Sequence, residues 1–168
     1  MNFYRNTLVC YSFSKSLSLP GERIGYVAVC HEADGREKLF AAVCGAGRAL
    51  GYVCAPVLFQ KMLLSCLDEH ADLSSYNANR EKLFTELSAM GYECVRPEGA
   101  FYLFMKAPGG DDAAFCELAK KYDLLIVPSS SFGLPGYMRL AYCVSMKTIE
   151  SSLPAFRALA KECGLTAE

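Results

Sequence analysis

The sequence predicts an α/β chain in two parts, residues 1–56 and residues 57–168, the second of α+β character. Three observations point there. Short apolar, β-branched runs of strand length alternate with longer segments of helical spacing. Most of the strand-like runs fall in the second part, with helices before, between and after them. And 52% of the 168 residues are hydrophobic, enough for one sizeable core.

Leu8 to Tyr11 is a short apolar run that reads as a strand entering a serine-rich turn, and Ile24 to Cys30 reads as a second, buried strand. Gly35 to Tyr52 has helical spacing, with Leu39, Val43, Ala46 and Leu50 on one face. Its Gly45, Gly47 and Gly51 have the wrong spacing for a dinucleotide loop and lie inside the helical pattern, so close helix packing is expected there. Ala55-Pro56 breaks that helix, and Val57 to about His70 starts another. Leu73 to Met90 is a long amphipathic helix on Tyr76, Leu83, Leu87 and Met90, with Gly91 as its stop. Tyr92 to Val95, Ala100 to Lys106, Leu124 to Val127 and Met138 to Tyr142 read as strands. Between them Asp112 to Tyr122 is a helix capped by Asp111 or Asp112. Lys147 to Cys163 closes the chain as a helix ending at Gly164, with Pro154 either kinking it or opening a second segment. Residues 1–56 hold too few strands to cover both faces of a sheet, so this part wants more chain or a partner.

Charged residues are 21% of the chain and the net charge is −1, with no basic stripe, so neither nucleic acid nor a membrane surface is an expected partner. No apolar run is long enough to span a bilayer and the first residues lack a signal pattern, which makes the cytoplasm the expected location. The nine cysteines are scattered without C-x-x-C spacing and read as small apolar residues in a reducing cell. Cys66 and His70 would share a helix face, but two ligands do not make a structural metal site, and none is expected.

Three segments carry groups that could do chemistry. Lys15 sits in the hydroxyl-rich stretch Ser12-Phe13-Ser14-Lys15-Ser16, and Arg23 follows eight residues later across the Pro20-Gly21 turn. Lysines in polar turns are usually solvated charges. This one stands at the end of a strand, where the crevices of α/β sheets form. Its amine could attack a carbonyl once desolvated or set beside a positive charge. The Arg23 fork and the Ser12 and Ser14 hydroxyls are suited to a phosphate; alone, Arg23 would equally serve a surface ion pair. Arg139 interrupts the apolar strand Tyr137-Met138-Arg139-Leu140-Ala141. It must reach solvent, pair with an acid or receive an anion. The segment Pro97-Glu98-Gly99-Ala100-Phe101-Tyr102 places a glycine before an aromatic strand, permitting close backbone approach, or simply forms core strand.

In combination and in this order, these segments resemble the class I/II aminotransferases of the fold-type I pyridoxal-phosphate enzymes, and most closely the aspartate-aminotransferase-like ones. Cys10 to Tyr26 is similar to the pattern S-x-S-K-x-x-x-x-x-G-x-R-x-G-Y, with its first glycine at Gly21. Residues 97–102 are similar to P-x-G-A-F-Y, and Val127-Pro128 through Phe132-Gly133 to Arg139-Leu140 resembles V-P-G-x-x-F-G followed by R-L. The resemblance implies that residues 1–56 end the large cofactor-binding domain and that residues 57–168 form the small domain. It also implies pyridoxal 5'-phosphate as cofactor, an amino acid and a 2-oxo acid as substrates, and a homodimer in which the Cys54-Ala55-Pro56 region approaches the neighbouring site. By the same resemblance Lys15 holds the cofactor as an imine and then acts as base in the proton shift. Ser12, Ser14 and Arg23 hold its phosphate, and Arg139 takes the substrate α-carboxylate. The sequence departs from the pattern in two ways: Ser129 stands where glycine is usual, and the aspartate, asparagine and aromatic residues that the family sets around the ring lie in a front portion not matched here. The chain alone is therefore expected to be inactive, and a non-catalytic binding or assembly module, or a remnant with the same fold, is the alternative reading.

Overall fold

The computed structural model describes residues 3–165 and divides into two compact units, residues 1–71 and 72–168. The mixed helix-and-sheet organisation expected from the sequence is present in both.

In the first unit β1 (Leu8–Ser12) runs into α1 (Phe13–Ser16), a single helical turn, and returns as β2 (Gly25–Val29). The two strands pair antiparallel, Leu8 opposite Val29 and Ser12 opposite Gly25. The amide of Phe13 donates to the carbonyl of Ile24 at 3.2 Å, which extends the ladder into the turn. Then come α2 (Arg36–Ala49) and α3 (Val57–Leu64). The core of this unit is small: Phe13, Ile24 and Leu63, with Leu17, Leu19, Ala55 and Phe59 against them. The helix α3, grouped with the second part on sequence grounds, thus contributes Leu63 to the first unit's core.

Three expectations fail here for physical reasons, and one apolar stripe is only partly covered. The run Ile24 to Cys30 is not a buried strand, because the two-stranded ribbon is covered only in part: Tyr26 and Val27 are exposed, Ala28 and Val29 half-buried, and only Ile24 and Cys30, at its ends, are buried. No residue of α2 is buried; of its apolar stripe Leu39 and Val43 are half-buried where α2 meets β2, and Ala46 and Leu50 are exposed. Gly45 meets nothing within 4 Å and Gly47 meets only the carbonyl of Tyr52 at 3.5 Å, so neither serves close helix packing. And α3 stops at Leu64 in a turn, so Cys66 and His70 do not share a helix face.

The second unit opens with α4 (Ser74–Ala89), which ends at Gly91 in the left-handed conformation that lets the chain turn back. β3 (Cys94–Val95) and β4 (Tyr102–Lys106) follow, then α5 (Asp112–Lys120), β5 (Val127–Pro128), a 3-10 turn over Ser129–Phe132, β6 (Tyr137–Ala141) and α6 (Met146–Glu162). The strands form one antiparallel sheet in the order β3-β4-β6-β5. Alternation sorts its faces: Leu103, Met105, Met138 and Leu140 point into the core against Leu83, Leu87, Phe115, Ala119, Phe156 and Leu159 of the helices. Asp111, not Asp112, caps α5, accepting the amide of Ala114 at 2.9 Å. Pro154 lies inside α6, which stays one helix. Residues 124–126 are not strand. Asp123 takes a left-handed φ of 58° and the amide of Leu124 closes back on Ala119, so these residues end α5 instead.

Candidate active site

The lysine turn is built by the first unit. Ser12 is the N-cap of α1, its Oγ accepting the amide of Ser14 at 3.3 Å and lying 3.0 Å from the Ser14 Oγ. The two hydroxyls are thereby gathered at the end of β1, with Ser14 buried and Ser12 exposed. Lys15 is exposed on the same turn. The β1–β2 ladder brings Ile24 and Gly25 beside residues 12 and 13, so Arg23 re-enters next to the turn, as the Pro20-Gly21 reversal suggested.

Two backbone features hold that return. Arg23 has φ 54°, a left-handed conformation costing a non-glycine residue about 1–2 kcal/mol, and its guanidinium donates to the Pro20 carbonyl at 2.9 Å. The rest of its fork stays open to an anion. Gly25 is required by sterics: a Cβ there would stand 2.3 Å from the Tyr11 carbonyl oxygen. Tyr11 and Tyr26, directly opposed on the ribbon, stack at 5.3 Å, and Phe13 packs edge-on to Tyr11 at 5.2 Å.

Arg139 belongs to the second unit, on the face of the four-stranded sheet away from the helices. It lies between Phe104 and Val127 across the ladders. Its guanidinium carbon is 4.2 Å from the Phe132 ring centre and 4.7 Å from that of Tyr102. Among the described residues no carboxylate lies within 4 Å of it. Of the three fates open to Arg139 in the sequence, reaching solvent or receiving an anion therefore remain. On the same face a groove of about 630 Å³ is lined by Val95, Pro97, Tyr102, Phe104, Leu134 and Tyr137 among others.

The left-handed residue of the 97–102 segment is Ala100 and not Gly99. Gly99 has no close neighbour, whereas Ala100 adopts φ 56° and offers its carbonyl to the Tyr142 hydroxyl at 3.1 Å. Three side chains have partners that the sequence did not announce. Asp112, 6% exposed, accepts the Ser130 amide at 2.8 Å, and Tyr102 and Phe132 cradle Arg139. The strand alternation that puts Tyr102 on the Arg139 face was available as a signal; the reach of Asp112 to a loop eighteen residues away was not.

The Ser130 amide, helped by its hydroxyl and by the Gly136 amide, holds the Asp112 carboxyl below the ordinary carboxylate range against the opposing effect of burial. A lowered folded-state value contributes stability that is complete above the unfolded carboxyl's value of about 3.9 and is lost as pH falls through the folded one. Urea titrations of wild type and Asp112→Asn from pH 6 to pH 2 should therefore show a shallower acid decline in the variant; parallel curves would refute the assignment.

The family model for aminotransferase class I and II matches residues 1–156. The chain belongs to the class I and II aminotransferases. An amino transferase from Eubacterium rectale has a crystal structure that matches 96% of this chain and 40% of its own at 55% identity and TM-score 0.85. Aspartate aminotransferase from Thermotoga maritima is 33% identical over 84% of this chain and 36% of its own length, and its crystal structure matches with TM-score 0.75. Aromatic-amino-acid aminotransferase 2 from Thermococcus litoralis is 28% identical over 95% of this chain and 42% of itself. The chain thus spans roughly two fifths of the length of these aminotransferases.

Membership in this aminotransferase class implies pyridoxal phosphate. The donor set at the lysine turn suits that group: two gathered hydroxyls and an open guanidinium edge for a phosphate, and one primary amine for an aldehyde.

Proposed function

We propose that this chain carries the lysine and carboxylate-binding part of a pyridoxal-phosphate aminotransferase that moves an amino group between an amino acid and a 2-oxo acid. The observation that carries the reading is the lysine turn, where Ser12, Ser14 and Lys15 follow one another at the end of β1 and the strand ladder returns the chain beside them just after Arg23. In this reading the first unit ends the large cofactor-binding domain and the second unit is the small domain.

When bound, the cofactor supplies the electron sink for charge developing at the substrate α-carbon. This chain's residues do the rest. Ser12, Ser14 and Arg23 bind and orient the phosphate. Lys15 provides the attachment point and moves a proton at Nζ, for which its exposed amine must first be covered. Arg139 offers two parallel N–H groups to the α-carboxylate and so fixes the substrate's orientation.

Residues 1–168 by themselves are proposed to be inactive, since the other three fifths of the relatives' length has no counterpart in them. The exposed apolar residues of the first unit, Leu8, Tyr11, Tyr26, Val27 and Phe40 among them, support an oligomer or a covering chain. They equally favour the second reading, an assembly module that keeps the fold without the reaction. Nine unpaired thiols support a reducing, cytoplasmic location.

The test is chemical trapping. Purified chain mixed with pyridoxal phosphate and reduced with borohydride should give one adduct on Lys15, mapped by mass spectrometry and absent from Lys15→Ala. Adducts scattered over Lys120, Lys121 and other surface lysines would favour the assembly module.

A further inference from the structure

We propose that Ser129 and Asp112 are positioning residues for Arg139, bracing the 129–136 loop from inside so that Phe132 stays against the guanidinium. The consequence for binding rests on the reading of Arg139 as the carboxylate ligand; the brace itself does not.

Ser129 is fully buried, and its hydroxyl reaches the carbonyls of Leu134 and of Tyr137, the latter at 2.7 Å. Asp112 grips the same loop near its start, accepting the amide of Ser130 at 2.8 Å. The loop closes on itself through Leu134 to Ser129 at 3.2 Å and Gly133 to Ser130 at 3.1 Å, with Gly133 left-handed. Phe132, by contrast, is 55% exposed and outside the hydrophobic core. Core packing does not hold its ring in place, so the loop backbone must. That backbone is set by one buried hydroxyl and one buried carboxylate. A guanidinium lying over an aromatic face keeps its N–H edge free for a planar anion while losing side-chain freedom in advance of binding. Glycine at position 129, the residue of the family pattern, has no hydroxyl to make this pin.

The experiment uses the whole chain labelled with ¹⁵N and ¹³C, with the Arg139 side chain assigned by its loss in Arg139→Lys. Aromatic ring currents should move the Arg139 δ-protons upfield of those of the other arginines. Phe132→Leu should return them part of the way. Ser129→Gly and Asp112→Asn should reproduce that displacement while the amides of Leu87, Leu103 and Leu159 stay fixed. If Asp112→Asn disturbs those core amides, Ser129→Gly and Ser129→Ala decide the matter. Arg139 protons that remain at the wild-type position in variants with unmoved core amides would overturn the proposal. Acetate titration is the second arm. Phe132→Leu, Ser129→Gly and Asp112→Asn should each weaken the acetate-induced shift of Arg139 about threefold. Equal affinity in all of them would deny the brace any part in binding. If acetate leaves wild-type Arg139 unperturbed, the carboxylate reading of Arg139 fails, and the δ-proton result still decides the brace.

Discussion

Gly25→Ala should abolish the Lys15 adduct while leaving the second unit folded. A methyl group at position 25 would stand 2.3 Å from a backbone oxygen, and no flexible side chain can yield there, so the strands must part. The register Ser12 opposite Gly25 is the rung nearest the lysine turn, and its loss removes the pairing that returns the chain after Arg23 to the turn carrying Ser12 and Ser14. Large-to-small arguments do not apply; this is overpacking against backbone, which costs about 1–3 kcal/mol or more. The main buried apolar cluster of the first unit among the described residues is just Phe13, Ile24 and Leu63, so a loss of that size is enough to open it. Two readouts check this: trapping yield at Lys15, and amide exchange across residues 8–29 compared with residues 102–106. Full trapping in Gly25→Ala would show that the ribbon does not organise the turn.

Asn79→Ala should be among the most damaging single changes in the second unit, although Asn79 sits on a helix whose apolar stripe would seem to do the work. Its amide donates to the carbonyls of Tyr142 at 3.0 Å and Val144 at 2.7 Å, fastening α4 to the exit of β6. Asn79 is 2% exposed, so its removal strands the carbonyl of buried Tyr142 away from water and also breaks the half-buried bond to Val144. A buried unsatisfied group costs about 1–3 kcal/mol and the loss of a half-buried bond about 0.5–1.5 kcal/mol, about 1.5–4.5 kcal/mol together, comparable to truncating a core leucine such as Leu87. Chemical denaturation of Asn79→Ala, Asn79→Asp and Leu87→Ala side by side checks the ranking. A loss under about 1 kcal/mol for Asn79→Ala would mean that water replaces the amide.

Much of the second unit was legible because its core is its own. Leu83 and Leu87 recur at helical spacing, while Leu103 with Met105 and Met138 with Leu140 alternate, and each pattern finds its partner within 97 residues. The first unit was harder to read for the opposite reason. The stripe Leu39-Val43-Ala46-Leu50 and the run Ile24 to Cys30 carry the marks of burial, yet within the unit they cover each other only in part. Periodicity reports which face is apolar, not what covers it. The chemistry-bearing stretches were legible as motifs: Ser12 to Arg23 forms one turn because a glycine and a left-handed arginine allow it. What stayed hidden was side-chain to backbone bonding over distance. Asp112 read as a cap candidate and turned out to grip a loop, since a carboxylate's partners are set by tertiary approach and not by neighbours in sequence.

The ties that close the second unit also set a clock. Asn79 waits 63 and 65 residues for Tyr142 and Val144, and the Tyr92 hydroxyl waits 64 for the Phe156 carbonyl it binds at 2.9 Å. At a ribosomal pace of about 5–20 residues per second, the interval is about 3–13 s. Through that time Leu83, Leu87 and Tyr92 are made while the strand and helix they pack on are not. A nascent chain of this kind presents a greasy, half-finished helix to the cell for seconds, a window in which chaperone capture competes with folding, and one that synonymous codons downstream of Tyr92 could lengthen or shorten without altering a single residue.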